Sequence, residues 1–128
     1  MGVLSAIAIA YRSIVDRLKR KGVFVGGTGN YPRVEVHSFN EPTPLCKDGS
    51  IRVVNCVVES ISDKRLDESL AMNEENIRRL VEERMQLDDN CELIGVEIGQ
   101  QQGMIEQTES KGVLYRMLTN VKIYLENR

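Results

Sequence analysis

The sequence predicts an α+β fold in which two helices pack on one face of an antiparallel or mixed β-sheet of about four strands. Two segments repeat apolar residues at helical steps, whereas four others alternate apolar with polar residues or are rich in Val and Ile. Their order along the chain is α-β-β-α-β-β, which differs from the regular strand-helix alternation of parallel sheets. The length of 128 residues suits one domain, and we expect residues 1–128 to form it.

Apolar residues at three- and four-residue steps predict the first helix, about five turns long. They are Leu4, Ile7, Ala8, Tyr11, Ile14, Val15 and Leu18. Basic residues crowd its C-terminal end, where they complement the helix dipole, and Gly22 is placed to end the helix. The apolar start of this segment has no preceding Lys or Arg and is too short to span a bilayer, so we interpret it as part of a helix in a cytosolic protein.

The glycine-rich segment 26–32 looks like a phosphate-binding loop, but its context favours a turn. A phosphate loop leads into a helix, whereas the next segment, 33–39, alternates as a strand does. After a loop with two prolines, Ile51–Ile61 carries apolar groups on both faces. This pattern predicts a central strand that pairs antiparallel with 33–39.

The second helix is predicted from Asn73 to Met85, after a polar break at Ser62–Asp67. Asn73 is a suitable N-cap, and the two glutamates that follow suit the first turn. Its apolar stripe contains Ile77, Leu80, Val81 and Met85. The charged remainder predicts a solvent-facing side.

Two strands are predicted in the C-terminal third. Residues 92–98 alternate weakly until Gly99 and Gly103, with three glutamines between them, interrupt the pattern. Residues 113–125 alternate throughout, and thirteen residues would reach roughly 44 Å. A domain of this size has a radius of gyration of about 14 Å, so such a strand would cross nearly all of it or project beyond it.

Few residues suited to catalysis or metal binding are present: one His, three Cys and no Trp. His37 could pair with a cysteine as a thiolate nucleophile, but Cys56 lies within a strand that looks buried, and no third group is marked that would orient the histidine. Asp88, Asp89 and Glu92 lack the spacing of a calcium loop. We therefore expect no catalytic residues, no cofactor and no metal. The formal net charge of −2 also argues against general nucleic-acid binding.

Charge is distributed unevenly along the chain. Residues 1–58 carry eight Lys or Arg against four Asp or Glu, whereas residues 59–128 carry nine against fifteen. The basic residues include Arg17, Lys19, Arg20, Lys21 and Arg33. A subunit with unlike faces suits head-to-tail association into a ring, whereas two halves that mix in the fold would cancel the asymmetry.

The element order and several local features together resemble the tail-terminator and tail-completion proteins of long-tailed bacteriophages, over nearly the whole chain. The features are the glycine-rich turn into Tyr31-Pro32-Arg33-Val34-Glu35-Val36, the Val-rich strand Arg52–Ser60, the charged helix Asn73–Met85 and the long final strand ending in Leu118–Leu125.

That resemblance implies a non-enzymatic virion protein, located in the tail or neck and assembled in the cytoplasm of the bacterial host. Its partners would be copies of itself in a ring, expected to be a hexamer, together with the tail tube protein and the head connector. It implies no small-molecule substrate, no membrane and no sequence-specific nucleic-acid binding. The predicted partner contacts are Gln100, Gln101, Gln102, Met104, Glu106, Glu109 and Lys111, in a polar segment expected to order on binding.

Two other classes of protein stay open. A small cytosolic adaptor or regulatory α+β domain also lacks catalytic residues and would be a monomer or dimer by light scattering. An enzyme with a site shared between subunits would be indicated by a pocket near His37 that is lined by two carboxylates.

Overall fold

The fold is α+β, as predicted, with two helices and a mixed sheet of five strands in the described residues. A computed structural model describes residues 6–26, 29–42, 50–82, 91–110 and 112–127. Its elements are α1 (Ala6–Leu18), β1 (Phe24–Val25), β2 (Arg33–Asn40), β3 (Ile51–Ser62), α2 (Leu66–Val81), β4 (Cys91–Thr108) and β5 (Gly112–Asn127). The strand not predicted is β1, a two-residue strand before the glycine-rich turn.

The strands lie in the order β1-β2-β3-β5-β4. β1 is parallel to β2, and every other neighbouring pair is antiparallel. The antiparallel pairing of β2 with β3 and the central position of β3 are confirmed. β4 and β5 form a hairpin. Since β5 lies between β3 and β4, the second strand of this hairpin lies inside the sheet.

One hydrophobic core lies between the sheet and both helices. It contains Ala6, Ala10, Ile14, Leu18, Val34, Val54, Cys56, Val58, Met72, Leu80, Val121, Ile123 and Leu125. Residues from both helices share this cluster with alternate residues of β3 and β5, so the two helices cover the same face. α1 packs over β2 and β3, whereas α2 packs over β3, β5 and β4.

The buried face of α1 differs from the predicted stripe. Its buried residues are Ala6, Ile9, Ala10, Ile14 and Leu18. Tyr11 is instead 41% exposed, and its ring meets Phe39 edge-on at 5.5 Å between centroids. The side of α1 that carries Ala6 and Ala10 therefore faces the core, since both alanines belong to the core cluster. Within the described chain, α1 ends at Leu18, and Gly22 lies in the following turn with φ +84°.

The predicted start of α2 was wrong. The helix begins at Leu66, and the polar break belongs to its first turn and approach. The hydroxyl oxygen of Ser62 accepts hydrogen bonds from the backbone N–H groups of Lys64 and Arg65, at 3.1 and 3.3 Å, and Ser62 donates to Glu68 at 2.6 Å. Polar residues therefore occupy a helix entry here, not an interruption.

Asn73 is inside α2, is 3% exposed and caps nothing. It accepts a hydrogen bond from Thr119 Oγ1 at 2.5 Å and donates to Gln101 at 2.8 Å. Asn76 on the same face donates to Ser60 at 2.8 Å. Polar side chains thus join α2 to three strands. The helix was predicted to begin too late because its buried side carries asparagines, which a search for apolar residues at helical steps does not count.

The predicted break in β4 was also wrong. β4 continues through Gly99 and Gly103 to Thr108, with a register shift between Ile98 and Gln101. An irregularity of this kind reverses the alternation of side chains, so the pattern looked interrupted although the backbone pairing continues. The long final strand is confirmed, because β5 spans sixteen residues.

The tip of the hairpin extends past β3. The last β3 residue paired with β5 is Ser62, opposite Tyr115, whereas β4 and β5 remain paired as far as Thr108 and Gly112. Three further residues of β5 therefore project beyond β3, a distance of about 10 Å.

Leu80 and Val81, both placed on the predicted stripe, separate sharply in exposure, at 2% and 53%. We expect Leu80→Ala to lower the free energy of unfolding by about 2–4 kcal/mol through lost burial and a cavity. Val81→Ala is the matched control and should change it by less than about 0.5 kcal/mol. Chemical denaturation measures both, and equal effects would contradict this placement of the helix face.

Candidate protein interface

The structure does not bring His37 and Cys56 together. Cys56 lies in the core on the helix-covered face, and burial raises the pKa of its thiol to about 12. His37 pairs with Val57, so it lies on the other face of the sheet. A thiol that stays protonated at neutral pH is a poor nucleophile, and the dyad hypothesis is not supported.

The described residues also do not form the phosphate-binding or metal-binding sites that the sequence raised as candidates. The glycine-rich turn leads into β2, so no helix N-terminus follows it that would receive a phosphate. Asp88 and Asp89 lie outside the described residues. No group of three or more His, Cys, Asp or Glu in the described part of the chain is placed to hold a metal ion. Among the same residues, no helix is long and apolar enough to cross a membrane.

A network of charged and polar side chains crosses the sheet face opposite the helices. His37 Nε2 is 2.8 Å from Glu59 Oε1, and Arg116 donates to Glu59 Oε2 at 2.6 Å and to Glu106 at 3.2 Å. The Glu59 side chain is only 7% exposed. Burial alone would lower the pKa of Arg116, but the hydrogen bond and charge of Glu59 outweigh this and raise it. This network links β2, β3, β5 and β4, so it stabilises the sheet.

A groove of about 430 Å³ in the described residues begins at Ser38, the residue next to His37. Its lining includes four amide side chains, with Glu97 as its one carboxylate and Lys122 as its one cation. Glu59 and Glu106 lie outside it, both bound to Arg116. The arrangement is suited to hydrogen bonding and supplies no pair of carboxylates for acid-base chemistry.

Most of the predicted partner contacts lie on the hairpin, along β4 and its tip. Gln100, Gln102, Met104 and Glu109 are exposed. Gln101 is exposed as a residue but holds Asn73 of α2, and Glu106 holds Arg116, so these two also serve the fold. Lys111 lies outside the described residues.

Sequence reasoning missed Ile105, which is 63% exposed beside Met104, itself 42% exposed. In a strand, adjacent side chains point to opposite faces. Both lie on the edge strand β4, opposite Arg116 and Tyr115 of β5, where β3 ends. The available signal was the adjacent apolar pair within an otherwise polar segment.

β4 is an edge strand of the described sheet and carries acidic side chains. Glu92, Glu97, Glu106 and Glu109 lie on the strand and its turn, and residues 91–110 contain no Lys or Arg. We call these four glutamates the acidic edge. A strand in this position also presents backbone N–H and C=O groups outward, which makes it a ready contact for another chain.

Basic residues lie on the opposite half of the molecule, along and after α1. We call Arg12, Arg17, Lys19, Arg20 and Lys21 the basic surface. Arg17 donates to the carbonyl of Arg79 at 3.1 Å, and Arg20 donates to that of Leu18 at 2.9 Å. Burial and the neighbouring charge of Arg79 together lower the pKa of Arg20, which shows how closely the cations are placed.

The two charged surfaces lie on different parts of the sheet. α1 packs over β2 and β3, which lie three and two strand spacings, about 14 and 10 Å, from β4. The charge asymmetry of the sequence therefore survives in the fold for these two groups of residues.

Comparisons with known proteins find a shared fold. No protein-family model and no curated protein matches the sequence. A chain of the solved structure "Virion of native gene transfer agent (GTA) particle" matches with a TM-score of 0.73 and 15% sequence identity. The match covers 97% of this chain and 100% of that chain, so the likeness extends over the whole fold.

Replacing Arg116 tests the network of His37, Glu59, Arg116 and Glu106. We expect Arg116→Met to lower the free energy of unfolding by about 2–3 kcal/mol, because it leaves the buried carboxylate of Glu59 without its main partner. Glu106→Gln, at a side chain 43% exposed, should cost less than about 1 kcal/mol. Adding Glu59→Leu to Arg116→Met should recover much of the loss in denaturation experiments. Additive losses would show that the pair does not interact.

Glu75 predicts a pH effect beside the basic surface. Hydrogen bonds from Arg78 and Arg79 lower the pKa of Glu75 to about 2 from 4.5. Its ionised form therefore stabilises the fold above pH 4.5, and this contribution is lost as the pH falls towards 2. The side chain is one-third exposed, so the contribution should stay below about 1 kcal/mol. Glu75→Gln should lower stability at pH 6 and converge with the parent near pH 2, with Glu74→Gln as the control.

Proposed function

We propose that this protein is a structural component of a phage-like virion, a ring subunit at the head-proximal end of the tail that terminates the tail tube and joins it to the head connector. The observation that carries the proposal is the full-length fold match to a chain of a gene transfer agent virion. The position in the neck rests on the resemblance of the sequence to tail-terminator and tail-completion proteins. No catalytic step is part of the proposal.

The proposed mechanism is geometric. Six copies form a ring, with one annular face against the last ring of the tail tube and the other against the neck. Polymerisation stops because the second face offers no tube-like surface to a further tube subunit. The unlike halves of the subunit support this arrangement, since head-to-tail contact between different surfaces forms a ring when the rotation from copy to copy closes.

The proposed contact with a neighbouring virion protein is the end of the hairpin from Gln102 to Glu109, which we call the hairpin tip. Met104 and Ile105 supply apolar area on its edge strand, level with the end of β3, and Gln102 and Glu109 supply a polar rim. Interfaces commonly combine an apolar centre of this kind with hydrogen-bonding surroundings. The flexible Met side chain also adapts readily to a partner surface.

Deletion of the gene tests the proposed role in the genome that encodes this chain. We expect heads and tails to accumulate unjoined, with tails of irregular length, in electron micrographs of the lysate. Supplying the wild-type chain from a plasmid should restore joined particles. Normal joined particles without the chain would overturn the proposal.

Substitutions at the hairpin tip test the contact itself. We expect Met104→Asp with Ile105→Asp to reduce joined particles at least tenfold, because two charges replace the apolar centre of the interface. Val81→Asp, at an exposed apolar residue of α2, is the matched control and should complement normally. Thermal unfolding of each purified variant checks that the fold is intact. Full complementation by the tip variant would exclude the tip as a contact.

A further inference from the structure

We infer that the basic surface of one copy binds the acidic edge of a second copy. The inference deepens the proposed ring, because it assigns the two halves of its subunit contact to named residues. The second copy is the committed partner on the ground of charge complementarity, since the same chain carries both surfaces.

The basic surface has more cations than carboxylates. α1 contributes one acidic residue, Asp16, and Glu75 of α2, whose charge acts on Arg20, is bound by Arg78 and Arg79. Arg12, Lys19 and Lys21 are exposed, whereas the half-buried Arg17 and Arg20 are held by backbone carbonyls. Crowded positive charges raise the energy of one another, so carboxylates from outside would relieve the repulsion.

The acidic edge has the complementary character. Its four glutamates are spread along β4 and the turn, and residues 91–110 contain no basic residue, although Lys122 of β5 lies opposite Glu97 and Arg116 binds Glu106. Glu109 and Glu97 are exposed, although Glu97 accepts a hydrogen bond from Tyr124 at 2.8 Å. These charges lie at the edge of the described sheet, because β4 has no neighbouring strand on its outer side there.

The two surfaces lie on different elements of one subunit. The basic surface follows α1 over β2 and β3, whereas the acidic edge lies on β4, about 14 Å from β2 and about 10 Å from β3. A second copy can present to each surface the one of opposite charge. Because the two surfaces differ, the association is head-to-tail, leaves one of each kind exposed at every step and ends only when a ring closes.

Charge reversal on each surface separately tests the inference. The basic-surface variant carries Arg12→Glu, Lys19→Glu and Lys21→Glu, which spares the carbonyl-bound Arg17 and Arg20. The edge variant carries Glu97→Lys and Glu109→Lys, which spares the Arg116 partner Glu106. The control carries Asp63→Lys and Glu74→Lys, at exposed acids outside both surfaces.

Sedimentation velocity of the purified chains at low salt supplies the measurement. We expect the wild type and the control to associate, and each reversed variant alone to lose at least tenfold in association constant, because like charges then face each other. An equal mixture of the two reversed variants should associate again, since their unlike surfaces are complementary in both orders. Raising the salt from about 50 to 500 mM should weaken the wild-type association, because ions screen such contacts.

Several outcomes would overturn the inference. They are a wild type that stays monomeric up to millimolar concentration, reversed variants that associate as the wild type does, or a mixture without rescue. Circular dichroism and thermal unfolding establish that each variant is folded. The proposed virion role is tested by particle morphology instead, so association in solution without a joining defect in particles would remove that role and leave this contact standing.

Discussion

The long β5 strand imposes the constraint on which the rest of the architecture depends. It lies inside the sheet, so the backbone N–H and C=O groups on both of its sides need partners. β3 supplies them on one side from Ile51 to Ser62, and β4 supplies them on the other along almost its whole length. This requirement draws the polar residues after Gly99 into a strand that their own side chains do not favour. The same pairing places β4 at the edge and extends the hairpin tip beyond β3.

Polar groups are buried on both faces of the sheet, and in each case they join separate elements. Asn73 connects α2 to β4 and β5, while Glu59 connects β2 to β5 through His37 and Arg116. Such groups cost stability unless their hydrogen bonds are made, so they penalise a shifted helix or a shifted register more strongly than an apolar core does. They orient the hairpin against the helices and the central strands.

Among the described residues, Cys56 is buried, His37 is bound to Glu59, and Glu59 is bound to Arg116. The same residues expose an apolar pair on the hairpin, an acidic edge and a basic surface along and after α1. The proposed role of a subunit that meets several neighbours uses these three surfaces on a chain of 14.5 kDa.

Local periodicity and composition determined much of the protein: the α+β class, the pairing of β2 with β3, the length of β5 and the separation of charge along the chain. Tertiary structure alone decided the start of α2, the buried face of α1 and the continuation of β4. The physical reason is the same in all three. Each of these features is stabilised by partners distant in sequence. The features are a buried asparagine in α2, a buried alanine in α1 and a glutamine-rich strand, and Thr119 is such a partner for Asn73. A local pattern contains no information about such partners. The predicted contact segment 100–111 was therefore expected to be irregular, although β4 continues as an edge strand to Thr108.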